Sequence, residues 1–343
     1  MPNTKNLQLK EILWEITNKC NKNCPYCGSK NIISEGAESG NMELDSLICN
    51  QIKQIPSVQD VTLTGGEPSL ELDRVKNIIE LLRRHHGGKY VHISILTNGN
   101  LFRKDINNIN YNTIGYSVNT LEDLKEMSNF FDKNNKSTDT IMITNFGTYN
   151  IFIFDKLFEV SKRFAGWQIQ LTIGQYQLTS EGIQELLNKL SQINLNFFET
   201  EDVFKDYRIC FSHNLQYNPC CSAGINSLSI TYDYKILPCL AERTYNNDLK
   251  YEGDFNNLKT PESDFLQNIW ENNFKEARFG LRKCCCDCFD NRNIIYPEHL
   301  KFSGIIDKNK NSFALNEIVS GRSAYGVFYT LPINNPVFLP WKN

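Results

Sequence analysis

Three cysteines near the start of the chain constrain it more than any other feature. They fall in the run Trp14-Glu-Ile-Thr-Asn-Lys-Cys20-Asn-Lys-Asn-Cys24-Pro-Tyr-Cys27, spaced C-x3-C-x2-C directly after an apolar stretch that reads as a strand. Three thiolates at such spacing on one loop can hold three irons of a [4Fe–4S] cube and leave the fourth iron without a protein ligand. An open iron lets a cluster bind and reduce a small molecule rather than only pass electrons. A zinc site, or three unrelated core thiols, are the alternative readings of the same residues.

A second element narrows the choice. Thr64-Gly65-Gly66-Glu67-Pro68 follows the apolar run Val58–Leu63, which reads as a short buried strand. Glycines at a strand end allow close backbone approach to a ligand, although a Gly-Gly pair alone reads as a turn. Together, the cysteine loop, with Tyr26 just before its third cysteine, and the Gly-Gly-Glu element resemble the signature of the radical S-adenosylmethionine (SAM) enzymes. The resemblance implies that Cys20, Cys24 and Cys27 ligate a [4Fe–4S] cluster whose open iron chelates SAM. It further implies that Gly65, Gly66 and Glu67 contact the amino group of the methionine moiety.

Strand-like and helix-like runs alternate along the first two hundred residues. Strands are expected near 11–16, 58–63, 90–96, 113–118, 139–144 and 167–173, with helices near 43–55, 71–86, 121–133, 152–164 and 180–193. Such alternation predicts a parallel α/β fold. The resemblance makes it a partial (β/α)6 barrel. Parallel α/β folds place ligands at the carboxyl ends of their strands, and the cysteine loop, Gly-Gly-Glu, Thr97-Asn98-Gly99 and Ser117-Val-Asn119 all fall at such ends. By resemblance, Asn98, Ser117 and Asn119 lie near the SAM carboxylate and ribose. Asn119 stands about where the family commonly has an aspartate. Each of these polar residues also reads as an ordinary turn residue.

With 343 residues the chain is long enough for a main domain and a smaller one, and its net charge of −3 includes no basic stripe, so nucleic acid is not an expected partner. The cluster Arg83-Arg84-His85-His86 reads as a solvated helix end. The polar start lacks a secretory pattern and no apolar run approaches membrane-spanning length, which predicts a cytoplasmic protein with no membrane partner. Twelve cysteines in a chain of this size, clustered and without an export signal, indicate metal ligation in a reducing compartment rather than a disulfide framework. Cys49 and Cys210 read as packing residues.

The second cysteine group is Cys220-Cys221, Cys239 and Cys284-Cys285-Cys286-Asp287-Cys288. Ser227–Cys239 reads as a hairpin turning at Asp233-Tyr234-Lys235, and a helix is expected near 262–278. This order resembles the twitch unit, the half-length form of the SPASM extension of radical SAM enzymes. The match implies a second, fully ligated [4Fe–4S] auxiliary cluster on Cys221, Cys239, Cys285 and Cys288. Cys220, Cys284 and Cys286 compete as ligands, and a four-thiolate zinc site is the other reading. The expected domains are a radical SAM core over 1–200, the twitch-like unit over 201–290 and an aromatic C-terminal strap or lid over 291–343.

The resemblance implies a radical SAM oxidoreductase in which a 5′-deoxyadenosyl radical abstracts a substrate hydrogen. Oxidative modification of a ribosomal peptide or protein is the favoured reaction. Dehydrogenation of a small carbohydrate or cofactor precursor is the alternative, and a non-enzymatic metal-binding scaffold the remote one. An electron donor such as flavodoxin or ferredoxin is implied as a partner.

Overall fold

The computed structural model describes residues 8–27, 40–83, 91–99, 109–131, 140–164, 166–172, 175–179, 181–182, 185–186, 189, 208–211, 227–240, 251–258, 264–274, 304–307, 312–315, 319–321 and 328–330. The first part alternates strand and helix as the sequence pattern predicts. The elements are β1 (Glu11–Thr17), α1 (Met42–Gln54), β2 (Asp60–Gly65), α2 (Leu72–Arg83), β3 (His92–Thr97), β4 (Thr113–Ser117), α3 (Leu121–Phe131), β5 (Thr140–Phe146), α4 (Phe154–Ser161) and β6 (Gly166–Leu171). Later come the strands β7 (Arg208–Phe211), β8 (Ser227–Ile230), β9 (Lys235–Leu237) and β10 (Gly253–Asp254), a short helix α5 (Phe265–Asn268), and the strands β11 (Gly304–Asp307), β12 (Ser312–Leu315), β13 (Val319–Gly321) and β14 (Phe328–Thr330). Six mostly parallel strands with intervening helices make the open, partial barrel that the sequence implies.

The chain divides into two compact units, Met1–Ile114 with Pro219–Cys286 and Gly115–Asn218 with Asp287–Asn343. In the first, the strand order is β10-β9-β8-β1-β2-β3. β1 pairs in parallel with β2 on one side and with β8 on the other. It is therefore an interior strand, and Ile12, Trp14 and Ile16 are completely buried. Both faces of this strand are covered: every residue but Leu13 is buried, Glu11 and Glu15 included. Cys49 is buried in the same core, against the Ile78 carbonyl. The helix α1 starts on Asn41, whose side chain accepts from the amides of Glu43 (2.9 Å) and Leu44 (3.2 Å).

The expected hairpin forms as β8 and β9, with Ser229 opposite Leu237 and Ile230 opposite Ile236. It extends the sheet beyond β1, which the sequence pattern did not reveal. The helix expected near 262–278 is shorter in the described residues: α5 passes into a π-helical turn over Ile269–Asn273. The wider turn keeps Leu266, Trp270 and Phe274, four residues apart, buried together.

In the second unit the order is β5-β6-β7-β11-β12, with β4 leading in from the first. An aromatic group holds it: the Phe146 and Phe154 rings are 5.5 Å apart, and Trp167 lies 5.5 Å from Phe154 and donates its indole N–H to Thr144 at 2.9 Å. The tail enters this sheet through β11, antiparallel to β7. The helix expected near 180–193 lies largely outside the described residues.

Candidate functional site

The cysteine segment leaves the carboxyl end of β1. Its three thiols are half-buried and form no disulfide, and the turn between the second and third is closed by the Cys27 amide donating to the Cys24 carbonyl at 3.1 Å. The Cys20 sulfur accepts from the Lys22 amide at 3.4 Å and lies 3.6 Å from Asn98 Nδ2. Burial pushes the Cys20 thiol up, and the Lys22 amide partly offsets that rise. Among the described residues no three His, Cys, Asp or Glu side chains close around a single metal ion. The donor set nevertheless suits a cluster: three cysteines outside any disulfide on one short segment, with N–H groups directed at the Cys20 sulfur of the kind that tune such centres.

The Gly-Gly-Glu element is built into this segment. The Gly66 amide donates to the Thr17 carbonyl at 2.8 Å and the Glu67 amide to the Lys19 carbonyl at 2.7 Å. A Cβ on Gly65, whose φ is +147°, would stand 2.2 Å from the Thr17 carbonyl oxygen, and one on Gly66 would stand 2.1 Å from that of Lys19. Close approach is thus required, and it is approach to the backbone just before Cys20. Lys19 is further tied by an ion pair with Glu71 at 2.6 Å.

Glu67 is completely buried. Its Oε1 accepts from the Ser69 amide at 3.0 Å and from the Thr97 hydroxyl at 2.9 Å, and its Oε2 from the Asn98 amide at 2.7 Å. One carboxylate therefore joins the ends of β2 and β3 and fixes the Asn98 backbone. The Asn98 side chain in turn donates to Asn21 Oδ1 at 2.8 Å. Cys20, Gly65, Gly66, Glu67 and Asn98 form one connected group at the carboxyl ends of β1, β2 and β3, and the half-buried Tyr26 lies within the same cysteine segment.

Ser117 and Asn119 belong to the second unit. Ser117 is the half-buried last residue of β4, and Asn119 is buried with its side-chain carbonyl accepting from the Asn145 amide at 2.7 Å. Beside them, the Asp123 carboxylate accepts from the Asn119 amide at 2.9 Å and the Thr120 amide at 3.0 Å, while its own amide donates to the Thr120 hydroxyl. That reciprocal arrangement caps α3. Of the second cysteine group, Cys239 is half-buried and forms no disulfide, and Cys221, Cys285 and Cys288 lie outside the described residues.

Residues 14–144 match the radical SAM superfamily. The matched stretch runs from within β1 to within β5 and includes all three cysteines of the first group, Gly-Gly-Glu, Asn98, Ser117 and Asn119. Among curated proteins, this chain is similar to the 7,8-dihydro-6-hydroxymethylpterin dimethyltransferase of Methanocaldococcus jannaschii, 30% identical over 98 residues, which is 28% of this chain and 18% of that protein. It is also similar to the S-adenosylmethionine-dependent nucleotide dehydratase of Psychrobacter lutiphocae, 26% identical over 142 residues, 36% of this chain and 45% of that protein. The chain thus spans less than half the length of each of these curated relatives. Among solved structures, native anSMEcpe with bound AdoMet superposes with a TM-score of 0.60 at 15% identity, covering 80% of this chain and 84% of that one. Streptococcus suis SuiB bound to its precursor peptide SuiA gives a TM-score of 0.56 at 15% identity, covering 82% and 70%. These likenesses establish the fold.

Thr97 and Ser69 could not be foreseen as partners of Glu67, since a hydroxyl or amide at a strand end has no periodic signature. Arg83 also differs from its reading as a solvated helix end: it donates to the Asn110 carbonyl at 3.1 Å and to Asn112 Oδ1 at 2.5 Å, tying α2 to the segment before β4. No helix among the described residues is long and apolar enough to cross a membrane.

Proposed function

We propose that this protein is a radical SAM enzyme that oxidatively modifies a ribosomal peptide or protein. The observation that carries the reading is the connected group at the strand ends: three cysteines outside any disulfide on one segment, fastened through Thr17 and Lys19 to Gly-Gly-Glu and through Asn98 to β3. Cys20, Cys24 and Cys27 would hold three irons of a [4Fe–4S] cluster. When bound with SAM, that group supplies one-electron cleavage to methionine and a 5′-deoxyadenosyl radical that abstracts a substrate hydrogen.

The chain's own residues position and shield. Glu67 holds the Asn98 amide, and Asn98 directs an N–H toward the Cys20 sulfur. The Gly-Gly backbone lies against the root of the cysteine segment and leaves no room there for side chains. Asn98, Ser117 and Asn119 are proposed to lie near the SAM carboxylate and ribose. Cys221, Cys239, Cys285 and Cys288 are proposed to hold an auxiliary cluster that takes the electron left on the substrate radical. A flavodoxin or ferredoxin is the proposed electron donor, and residues 291–343 the proposed strap or lid.

The peptide substrate is supported by the likeness to SuiB, whose structure holds a precursor peptide, and to anSMEcpe, whose structure was also determined with a bound peptide. A small-molecule substrate is the second reading, favoured by the sequence similarity to a pterin dimethyltransferase and a nucleotide dehydratase. Anaerobic reconstitution tests the proposal. About eight irons and eight sulfides per chain and 5′-deoxyadenosine formed under reductant are expected, with the latter lost when Cys20, Cys24 and Cys27 are replaced by Ala. Zinc in place of iron, or 5′-deoxyadenosine from the triple variant, overturns it.

A further inference from the structure

The segment carrying Cys20, Cys24 and Cys27 leaves β1 at Ile16 and Thr17. The described chain resumes at Gly40 and Asn41, where α1 begins. Both roots of the segment converge on one buried guanidinium. Arg74 of α2 donates from Nη1 to the Ile16 carbonyl at the first root. It also donates to both oxygens of Asp45 on α1, from Nε and Nη2, each at 2.7 Å. The same Nη2 donates to the hydroxyl of Tyr234 at 3.0 Å. That hydroxyl meets the second root: it accepts from the Asn41 amide and donates to the Asn41 carbonyl at 3.2 Å.

Tyr234 comes from the turn of the β8–β9 hairpin, 160 residues beyond Arg74. Its φ is 66°, the left-handed region, which costs a residue with a Cβ roughly 1–2 kcal/mol and costs glycine nothing. A tyrosine persists there because its ring is buried and its hydroxyl is engaged by Arg74 and Asn41. Gly40 is explained by the same guanidinium: a Cβ there would stand 1.9 Å from Arg74 Cζ. An arginine side chain ordinarily yields to such a contact, but this one is held by four acceptors. Burial opposes the Arg74 charge, and the hydrogen bonds to Asp45 together with the charges of Asp45, Tyr234 and Glu71 more than offset it; burial pushes the Tyr234 hydroxyl up to about 12, so it remains a donor.

We propose that Arg74 and Tyr234 are positioning residues that clamp the two roots of the cysteine segment, so that the C-terminal hairpin sets the spacing of its three thiols. The inference rests on the reading of that segment as a cluster site. A buried ion pair alone is a doubtful source of stability. What distinguishes this one is that the backbone of the first root accepts from it directly and the backbone of the second is joined to it through the Tyr234 hydroxyl. It also gives the hairpin, whose far end leads to Cys239, a route by which to act on the first cysteine group.

The test compares wild type with Tyr234→Phe, which keeps the ring and removes one hydroxyl, and with Tyr234→Gly, which relieves the positive φ as well. Amide hydrogen exchange is followed in the metal-free and the reconstituted chain, and electron paramagnetic resonance of the reduced cluster is recorded with and without SAM. Exchange over residues 17–27 should accelerate about tenfold or more in both variants with α3 unchanged, and the SAM-induced change in the resonance should be altered or lost. Arg74→Lys should behave like Tyr234→Phe, because an ammonium cannot span Ile16, Asp45 and Tyr234 together. Wild-type exchange and resonance in Tyr234→Phe overturn the clamp. Uniform acceleration across β1–β3 overturns it too, by making the network a general staple. If no cluster assembles in wild type, the functional reading fails, while exchange in the metal-free chain still decides the clamp.

Discussion

At the carboxyl ends of β2 and β3, Glu67 is completely buried and accepts from three donors. At the amino ends of β1 and β2, Glu11 and Asp60 are also buried, but they lie opposite each other in the parallel ladder. Burial, with the Asp60 charge added to it, pushes the Glu11 carboxyl up to about 8. The two ends bury acid for different results. Donors around Glu67 convert a buried carboxylate into a brace that fixes Asn98 and the approach to Cys20. The Glu11–Asp60 pair makes folding depend on pH. A carboxylate surrounded by donors at strand ends is a positioning device, whereas one facing another acid is a cost of sheet register.

The sharpest way to break the carboxyl end is Gly66→Val. The added Cβ meets the Lys19 carbonyl, a backbone atom that cannot swing aside, so the cysteine segment must move. The expected result is loss of iron from the first site and a destabilisation of about 5 kcal/mol or more, read by iron analysis and chemical denaturation. Normal iron loading in this variant would reduce Gly-Gly to a tolerant turn.

The amino end is tested by pH. The folded Glu11 pKa lies above its ordinary value of 4.5, so the stability it contributes is fully present below that value and is lost as pH rises through about 8. Wild type should therefore lose stability between these limits, by at most about 5 kcal/mol, and Glu11→Gln should flatten the profile. Denaturation midpoints at several pH values decide it. A flat wild-type profile would remove the contrast between the ends.

Glu67→Gln probes the brace with less disruption. The amide keeps one acceptor but turns an N–H toward either the Asn98 amide or the Ser69 and Thr97 donors, leaving at least one buried donor unmet. A loss of about 2–3 kcal/mol is expected, with weaker SAM binding measured by titration of the reconstituted protein. Unchanged affinity would confine Glu67 to a structural role.

Much of this was legible beforehand, for reasons that particular residues show. β1 through β6 and their helices follow apolar periodicity, which is local, and the cysteine spacing lies within one segment. The glycines were recognisable as sites of close approach, but not what approaches them, because Thr17 and Lys19 become neighbours only through sheet pairing. Arg74 and Asp45 did leave a trace: Arg74 shares a helix face with Ile78 and Leu82, and Asp45 with Cys49 and Ile52, all buried. Opposite charges on the buried faces of consecutive helices announce a pair. Their link to Tyr234 did not show, since a turn tyrosine resembles any other until its φ and its partners are known.

The smallest expected effect belongs to Asn98, and it separates bracing from tuning. Its backbone amide is held by Glu67, while its side chain reaches Asn21 and the Cys20 sulfur. Asn98→Ala removes the second set and leaves the first, so the end of β3 should stay in place. An N–H directed at a ligand sulfur favours the reduced, more negative cluster. At 3.6 Å the contact is weak, on the order of 0.5 kcal/mol, equivalent to a change of about 20 mV for one electron. The midpoint potential of the reconstituted first cluster should therefore fall by about that amount, with stability nearly unchanged. A fall in stability comparable to that of Glu67→Gln, with no change in potential, would show that the side chain braces the segment through Asn21 instead. An unchanged potential and unchanged stability together would leave the whole contribution of Asn98 in its backbone, and Glu67 as the residue that matters at this end.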